Sequence, residues 1–285
     1  MTIVVQPTGA AAGARITGID LSQDIDAKAF DIIHQAWLDH QMLVFPDQHL
    51  SEEDQIRFSR HWGELPVRDR YRTRQERDVK DQSIMLVSNI RENGREIGSL
   101  PDGEMMFHTD GAYDRDPYRY TLLYAVELPA TGGNTLFADM YAAYDTLPDD
   151  LKRRLAGCTA EHGYYSGTVQ KDQPGTSYNG DFIHPVFVQH EETGRTALFV
   201  SRLLTLRIVE MEHAESDEVL EALFDHCEQS SLIYEHVWTK GDFVMWDNRC
   251  LNHARTDFPE TERRLLRRTV VQGVQPKPAS VSEAA

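Results

Sequence analysis

The sequence predicts a mainly β protein of α+β character: a double-stranded β-helix, or jelly roll, with flanking helices packed outside. Three observations carry this expectation. Short apolar segments rich in β-branched and aromatic residues recur from Met42 to Gln272. Only four stretches carry a helical pattern. Turn residues punctuate the chain between the apolar segments.

The elements follow in order. Residues 28–40 set Phe30, Ile33 and Trp37 on one helical face. Met42-Leu43-Val44-Phe45 reads as a short strand stopped by Pro46. Ser51 and Asp54 form a capping box that opens a helix reaching about His61. Residues 67–80 (VRDRYRTRQERDVK) are densely charged. They suit a solvated loop or, alternatively, an active-site lid that brings arginines to a substrate. Ser83–Ser88 reads as a strand, and a loop holding Gly94, Gly98, Pro101 and Gly103 leads to MMFHTDGAY. Residues 119–127 make a long apolar strand, Pro129–Gly133 a turn, and Asn134–Ala138 a further strand. Met140–Ala156 is helical with a break near Pro148. Segments 157–163, 184–190, 196–201, 232–238, 242–246 and 263–272 read as β. Hairpin turns are expected at 192–195 and at Lys240-Gly241, and one helix near 216–228 interrupts the strands. Residues 164–182, rich in Gly, Ser and Tyr, suit a mobile loop over a pocket. The expected organisation is one domain over 1–273, with insert or lid segments near 67–103 and 164–182, and a flexible tail over 274–285.

The composition narrows the function. At 285 residues with 40% apolar content, the chain can bury a full core. With 46 Asp and Glu against 29 Lys and Arg, the formal charge is −17. That excludes non-specific nucleic-acid binding, which needs Lys and Arg on phosphates. It equally disfavours anionic membrane surfaces. Cys158, Cys227 and Cys250 are an odd, widely spaced set without a CxxC pair, so neither a disulfide framework nor a zinc-thiolate site is expected. No signal peptide and no membrane span is visible, and the expected compartment is the cytoplasm.

Three groups of residues could carry chemistry. His108-Thr109-Asp110 comes first: two residues apart on a strand, an imidazole and a carboxylate share a face about 6.6 Å apart and can converge on one metal ion. Alone, HxD is a weak signal. His253, 143 residues after Asp110, could complete a two-His, one-carboxylate facial set on a rigid scaffold. That set leaves positions open for non-haem Fe(II) and O₂, and zinc is the competing metal. The remaining histidines, His34, His61, His162, His184, His226 and His236, read as ordinary surface or half-buried residues. The third group is Arg263, Arg264, Arg267 and Arg268. On a strand Arg264, Leu266 and Arg268 share one face and Arg263, Leu265 and Arg267 the other. Such a strand can clamp a ligand carboxylate inside a barrel, or simply make surface ion pairs in an acidic protein.

Taken together, FHTDG, ELPATGGNTLFADMYAAYDTLP, GDFVMWDNRCLNHARTDF and RRLLRR resemble the TauD/TfdA family of Fe(II)- and 2-oxoglutarate-dependent dioxygenases. Order, spacing and flanking residues agree from the Met42–Phe45 strand to about Gly273. The resemblance implies that His108, Asp110 and His253 are the iron ligands. It implies that the Thr135 hydroxyl and Arg264, eleven residues after His253, meet the 2-oxoglutarate carboxylate. Arg268 matches a second arginine that in some members lies near the co-substrate and the substrate's anionic group, and Asp247-Asn248-Arg249 matches a signature whose implied role is structural support near His253. O₂ is the third reactant. Succinate and CO₂ are released as a substrate C–H is attacked. Retention of Asp110 favours hydroxylation over halogenation, while desaturation or cyclisation uses the same triad.

A small organic substrate with a carboxylate, sulfonate or phenoxyacetate-like group is implied, and a homo-oligomer, dimer or tetramer, is expected. Glu104 stands where the taurine enzymes carry an asparagine, which speaks against taurine. It either meets a cationic or hydroxyl group or faces solvent. Met105, Met106, Phe107, Tyr113 and Tyr118 are candidates for an apolar pocket or for core. A zinc hydrolase would not need Arg264 and Thr135, and a non-catalytic jelly-roll binding protein would not need an intact triad.

Overall fold

A computed structural model describes residues 2–66, 83–99, 103–165 and 178–280. Strands and helices are numbered in chain order. One sheet of seven strands runs β1 (Val4–Pro7), β2 (Ala14–Thr17), β3 (Met42–Phe45), β16 (Phe243–Asp247), β8 (Tyr120–Glu127), β18 (Leu265–Val271) and β4 (Met85–Ser88). A second sheet of four runs β15 (Ile233–His236), β9 (Thr135–Asp139), β17 (Leu251–Arg255) and β7 (Met105–His108). Neighbours in both are antiparallel, except for the parallel β2–β3 pair. Two small sheets hold β11 (Tyr178–Pro185), β10 (Thr159–Tyr165) and β14 (Thr205–Ile208), then β13 (Thr196–Leu198), β12 (Phe187–Gln189) and β19 (Lys277–Pro278). A short ribbon pairs β5 (Arg91–Glu92) with β6 (Arg95–Glu96).

The period-two alternation of the central strands explains the layering. Val44, Leu123, Ala125, Val244, Trp246 and Leu266 turn to one side and pack with Phe137 and Leu251 of the four-stranded sheet. The two sheets therefore face each other. Leu43, Phe45, Leu122, Tyr124, Phe243 and Met245 turn to the other side. There they meet Ile33 and Trp37 of α1 (Ala27–His40) and Ile56 and Phe58 of α2 (Glu52–Arg60). Each fully buried side chain of this kind stabilises the fold by roughly 1.5–3 kcal/mol. A third core lies beneath the four-stranded sheet. It gathers α3 (Met140–Thr146), α4 (Asp149–Leu155), α5 (His213–Cys227) and the small sheets.

Local signals place these helices. Asp26 caps α1 by accepting from the Ala29 N–H, and Gln41, at φ 66°, ends it. Ser51 and Asp54 form the expected capping box of α2. Pro148 separates α3 from α4.

Three expectations need correction. Lys240-Gly241 is a turn but not a hairpin, because β15 and β16 lie in different sheets. Gly241, at φ 88°, turns the chain across the gap, and its N–H bonds to the Ala125 carbonyl at 3.0 Å. The segment after Gly273, expected to fray, instead pairs β19 with β12, and the Ala279 N–H donates to the Phe187 carbonyl. Backbone pairing outweighs its polar composition there. In the HTD motif only His108 belongs to a strand. Asp110 sits in the following turn, where Gly111 takes φ 78°. Of the two lid segments, 67–82, 100–102 and 166–177 lie outside the described residues.

Candidate active site

β17 organises the site. In register, His253 lies opposite His108 on β7, and Arg255 lies opposite Thr135 on β9. The facing sheet contributes Val87, Leu123, Trp246 and Arg268 to the same pocket, which Met105, Ala254 and Arg264 also line. Met105 is thus a pocket residue, while Phe107 packs in the core and Glu104 is exposed.

The structure brings His108, Asp110 and His253 together. One potential ligand atom from each lies within 4.8 Å of the others, and all three residues are buried. Both imidazole Nε2 atoms stand 3.8 Å from the Asp110 carboxylate. The His108 Nδ1 donates to the Met106 carbonyl at 2.9 Å, which leaves the Nε2 lone pair towards Asp110. Burial lowers the pKa of both histidines, so both are neutral and able to act as ligands near neutral pH. Burial alone would raise the Asp110 pKa. Arg268, at 2.6 Å, and a bond from the Thr121 hydroxyl outweigh it and hold the carboxyl well below the usual range.

Behind Asp110 runs a chain of polar contacts. The Trp246 indole donates to the Asn248 carbonyl, the Asn248 amide to Thr121 Oγ1 at 3.0 Å, and Thr121 to Asp110 Oδ2 at 2.5 Å. The DNR signature thus supports Asp110 through Asn248. Its Asp247 and Arg249 serve elsewhere, against His190 and Glu192.

The four arginines separate as the strand rule predicts. Arg263 is an exposed partner of Glu127, and Arg267 lies over the Tyr124 ring on the outer face. Arg264 and Arg268 point inward. Arg264 is 2% exposed; its Nη2 donates to the Gly133 carbonyl at 3.1 Å, and its Nε finds no partner among the described residues. Among the described residues no carboxylate pairs with it. Burial, then the neighbouring Arg255, pulls its pKa down to about 9. Gly132 and Gly133, at φ 72° and 66°, let the loop before β9 pass beneath this guanidinium. A Cβ on Gly133 would stand 3.0 Å from Arg264 Nε. The Thr135 hydroxyl accepts the Trp238 indole N–H at 3.0 Å.

Sequence reasoning missed Arg255, Thr121 and Trp238. Arg255 follows His253 by two on a strand, so the alternation that grouped Arg264 with Arg268 would have found it. Thr121 gave no signal, since a threonine inside an apolar strand is ordinary. A second buried group, His190, Asp247 and Cys250, is close enough to hold a metal but is already engaged. The His190 Nδ1 accepts two backbone N–H groups, so its Nε2 carries the proton given to Asp247. Burial, with Asp247 and Asp139 nearby, keeps the Cys250 thiol protonated.

Residues 5–270 match the family described as taurine catabolism dioxygenase TauD, TfdA family. Pentalenolactone F synthase of Streptomyces avermitilis is 38% identical over 92% of this chain and 91% of its own. The (S)-phenoxypropionate/alpha-ketoglutarate-dioxygenase of Sphingobium herbicidovorans is 34% identical over 94% of each chain. The crystal structure of AAD-2 in complex with Mn(II) and N-oxalylglycine superimposes with a TM-score of 0.80 at 26% identity, covering 98% of this chain and all of that one. The sequence match, the shared fold and the buried His-Asp-His cluster agree, and the chain belongs to the TauD/TfdA dioxygenase family.

Proposed function

We propose that this dioxygenase hydroxylates an unactivated C–H bond of a small anionic organic molecule, using Fe(II), 2-oxoglutarate and O₂ and releasing succinate and CO₂. The class is that of its relatives, the 2-oxoglutarate-dependent dioxygenases. The finer reading gives His108, Asp110 and His253 to Fe(II), Thr135 and Arg264 to the distal carboxylate of 2-oxoglutarate, and Arg268 to the co-substrate or substrate anion.

The donor set suits the metal: two neutral imidazoles and a carboxylate that stays ionised, with open coordination positions left over. The observation that carries the co-substrate reading is Arg264. A buried guanidinium whose Nε and charge find no partner among the described residues is costly unless an anion is supplied to it. A bidentate carboxylate is the natural complement of its fork. A zinc hydrolase gives that cation no task.

Bound Fe(II), with 2-oxoglutarate and O₂, supplies the oxidising power. The chain supplies position and exclusion. Val87, Met105, Leu123, Trp246 and Ala254 give the pocket apolar walls that keep water from the reacting C–H. Arg268 lies beside Asp110, so an anionic group it holds would stand near the metal. The (S)-phenoxypropionate named for one relative is a small carboxylate, which supports this substrate class. The biosynthetic synthase among the relatives keeps desaturation or cyclisation as the second outcome of the same hydrogen removal.

We also read the two facing sheets as a double-stranded β-helix in one domain, on the support of their antiparallel pairing and shared core. Three free cysteines support a cytoplasmic setting. No helix among the described residues is long and apolar enough to cross a membrane.

The test is anaerobic. Fe(II) and then 2-oxoglutarate are added to metal-free protein, and the visible charge-transfer band of a chelated 2-oxoacid is followed. The band should form in the wild type and weaken in Arg264→Ala. Fe(II) binding without a band would overturn the co-substrate reading.

A further inference from the structure

The Thr135 hydroxyl is held in a way that keeps its proton free. A threonine hydroxyl has one proton to give and two lone pairs. Indole nitrogen only donates. The Trp238 indole occupies a lone pair of Thr135 Oγ1 at 3.0 Å, and both residues are buried. The Thr135 proton must then point away from the indole, and no acceptor takes it among the described residues. Thr135 lines the pocket with Arg264. A carboxylate there can accept the proton.

The indole is itself held. Trp238 follows His236 by two residues, and the rings meet edge to face with centroids 4.6 Å apart. His236 lies opposite Thr135 in register and sits 3.2 Å from Asp242. The brace therefore runs from the edge strand β15 into the pocket without touching the metal cluster.

We propose that Trp238 is a positioning residue for 2-oxoglutarate: it holds the Thr135 hydroxyl with its proton turned away from the indole and free for the distal carboxylate. The inference rests on the reading of Thr135 given above, and its test separates the two.

Fe(II)-loaded protein is titrated anaerobically with 2-oxoglutarate and, separately, with pyruvate, which chelates as a 2-oxoacid but has no distal carboxylate. Trp238→Phe should weaken 2-oxoglutarate about three- to tenfold, the size of one neutral hydrogen bond, and leave pyruvate unchanged. Thr135→Val should show the same selective loss, and adding Trp238→Phe to it should cost nothing further. Trp238→His, which retains a ring N–H, should recover part of the loss and stands in if the phenylalanine variant does not fold.

Equal weakening of both 2-oxoacids would overturn the proposal, since that is structural damage. Wild-type affinity in Trp238→Phe beside a selective loss in Thr135→Val would overturn the proposal and spare the reading of Thr135. No loss in Thr135→Val would remove both.

Discussion

Replacing Thr121 by valine tests how Asp110 is held. The change keeps the shape of the side chain and removes one hydroxyl. That hydroxyl donates to Asp110 Oδ2 at 2.5 Å and accepts from the Asn248 amide at 3.0 Å, and Thr121 is fully buried. A hydrogen bond to a charged group contributes about 1.5–3 kcal/mol, and a buried amide N–H left without an acceptor costs about 1–3 kcal/mol. The two share one site and do not simply add, so the fold should lose about 2–4 kcal/mol. Metal affinity should fall about 10- to 100-fold, the usual effect of removing a group that orients a ligand. That range equals about 1.4–2.8 kcal/mol, in agreement with the loss of the single charged bond. Competition with a chromogenic chelator measures Fe(II) or Co(II) affinity, and urea denaturation measures stability. Thr121→Ser retains the hydroxyl and should stay near wild type in both. A valine variant that loses stability yet binds metal within twofold of wild type would refute the claim that this hydroxyl orients Asp110.

Three further outcomes follow from other parts of the molecule. Gly133→Ala should weaken 2-oxoglutarate about tenfold in the anaerobic titration, because its Cβ crowds the Arg264 guanidinium at a backbone angle that costs about 1–2 kcal/mol outside glycine. Gly94→Ala, at φ 76° with nothing near its Cβ, is the control and should carry the backbone cost alone.

Burial and then His184 push His162 down to about 3 in the folded protein. The unfolded chain binds that proton near pH 6.5, so the stability is full above 6.5 and drains away as pH falls towards 3. Between pH 8 and pH 5 the loss from this group is about 2 kcal/mol, and it should vanish from the denaturation curves of His162→Asn. A thiol reagent at pH 8 should label Cys158, which is half-buried. Cys227 and Cys250 should react only after unfolding, since both are buried with raised pKa values. Prompt labelling of Cys250 would refute the engaged reading of its cluster.

Much of the site was legible because its parts lie close in sequence or obey strand alternation. His108 and Asp110 are two apart, although a turn rather than a shared strand face brings them together, and Arg264 and Arg268 share a face. His253 was placed by its motif and by resemblance, since nothing local ties it to a residue 143 positions earlier. The strands from Met42 and Arg119 were visible from apolar runs, but their order in the sheets was not. β8 lies between β16 and β18 through long-range pairing that no window of sequence contains. For the same reason Lys240-Gly241 looked like a hairpin: the turn chemistry is local, and the choice of sheet is not. Thr121 and Trp238 were invisible because their importance lies in side-chain partners that no local pattern reveals, Asp110 and Asn248 for the one and Thr135 for the other.

The placement of β17 between β7 and β9 has an evolutionary consequence. Because the strand is paired on both sides, a one-residue insertion or deletion between Leu251 and His253, carried through the strand, would flip His253 and Arg255 together to the wrong face. Such an indel would break up the His-Asp-His cluster and displace the arginine beside Arg264 at once. Length variation should therefore be purged there. Substitution at Val87 and Met105 is freer, because these side chains line the pocket and belong to neither the triad nor its hydrogen-bonded support. A lineage built on this scaffold can change what it oxidises by exchanging such wall residues, while the machinery that does the oxidising descends intact.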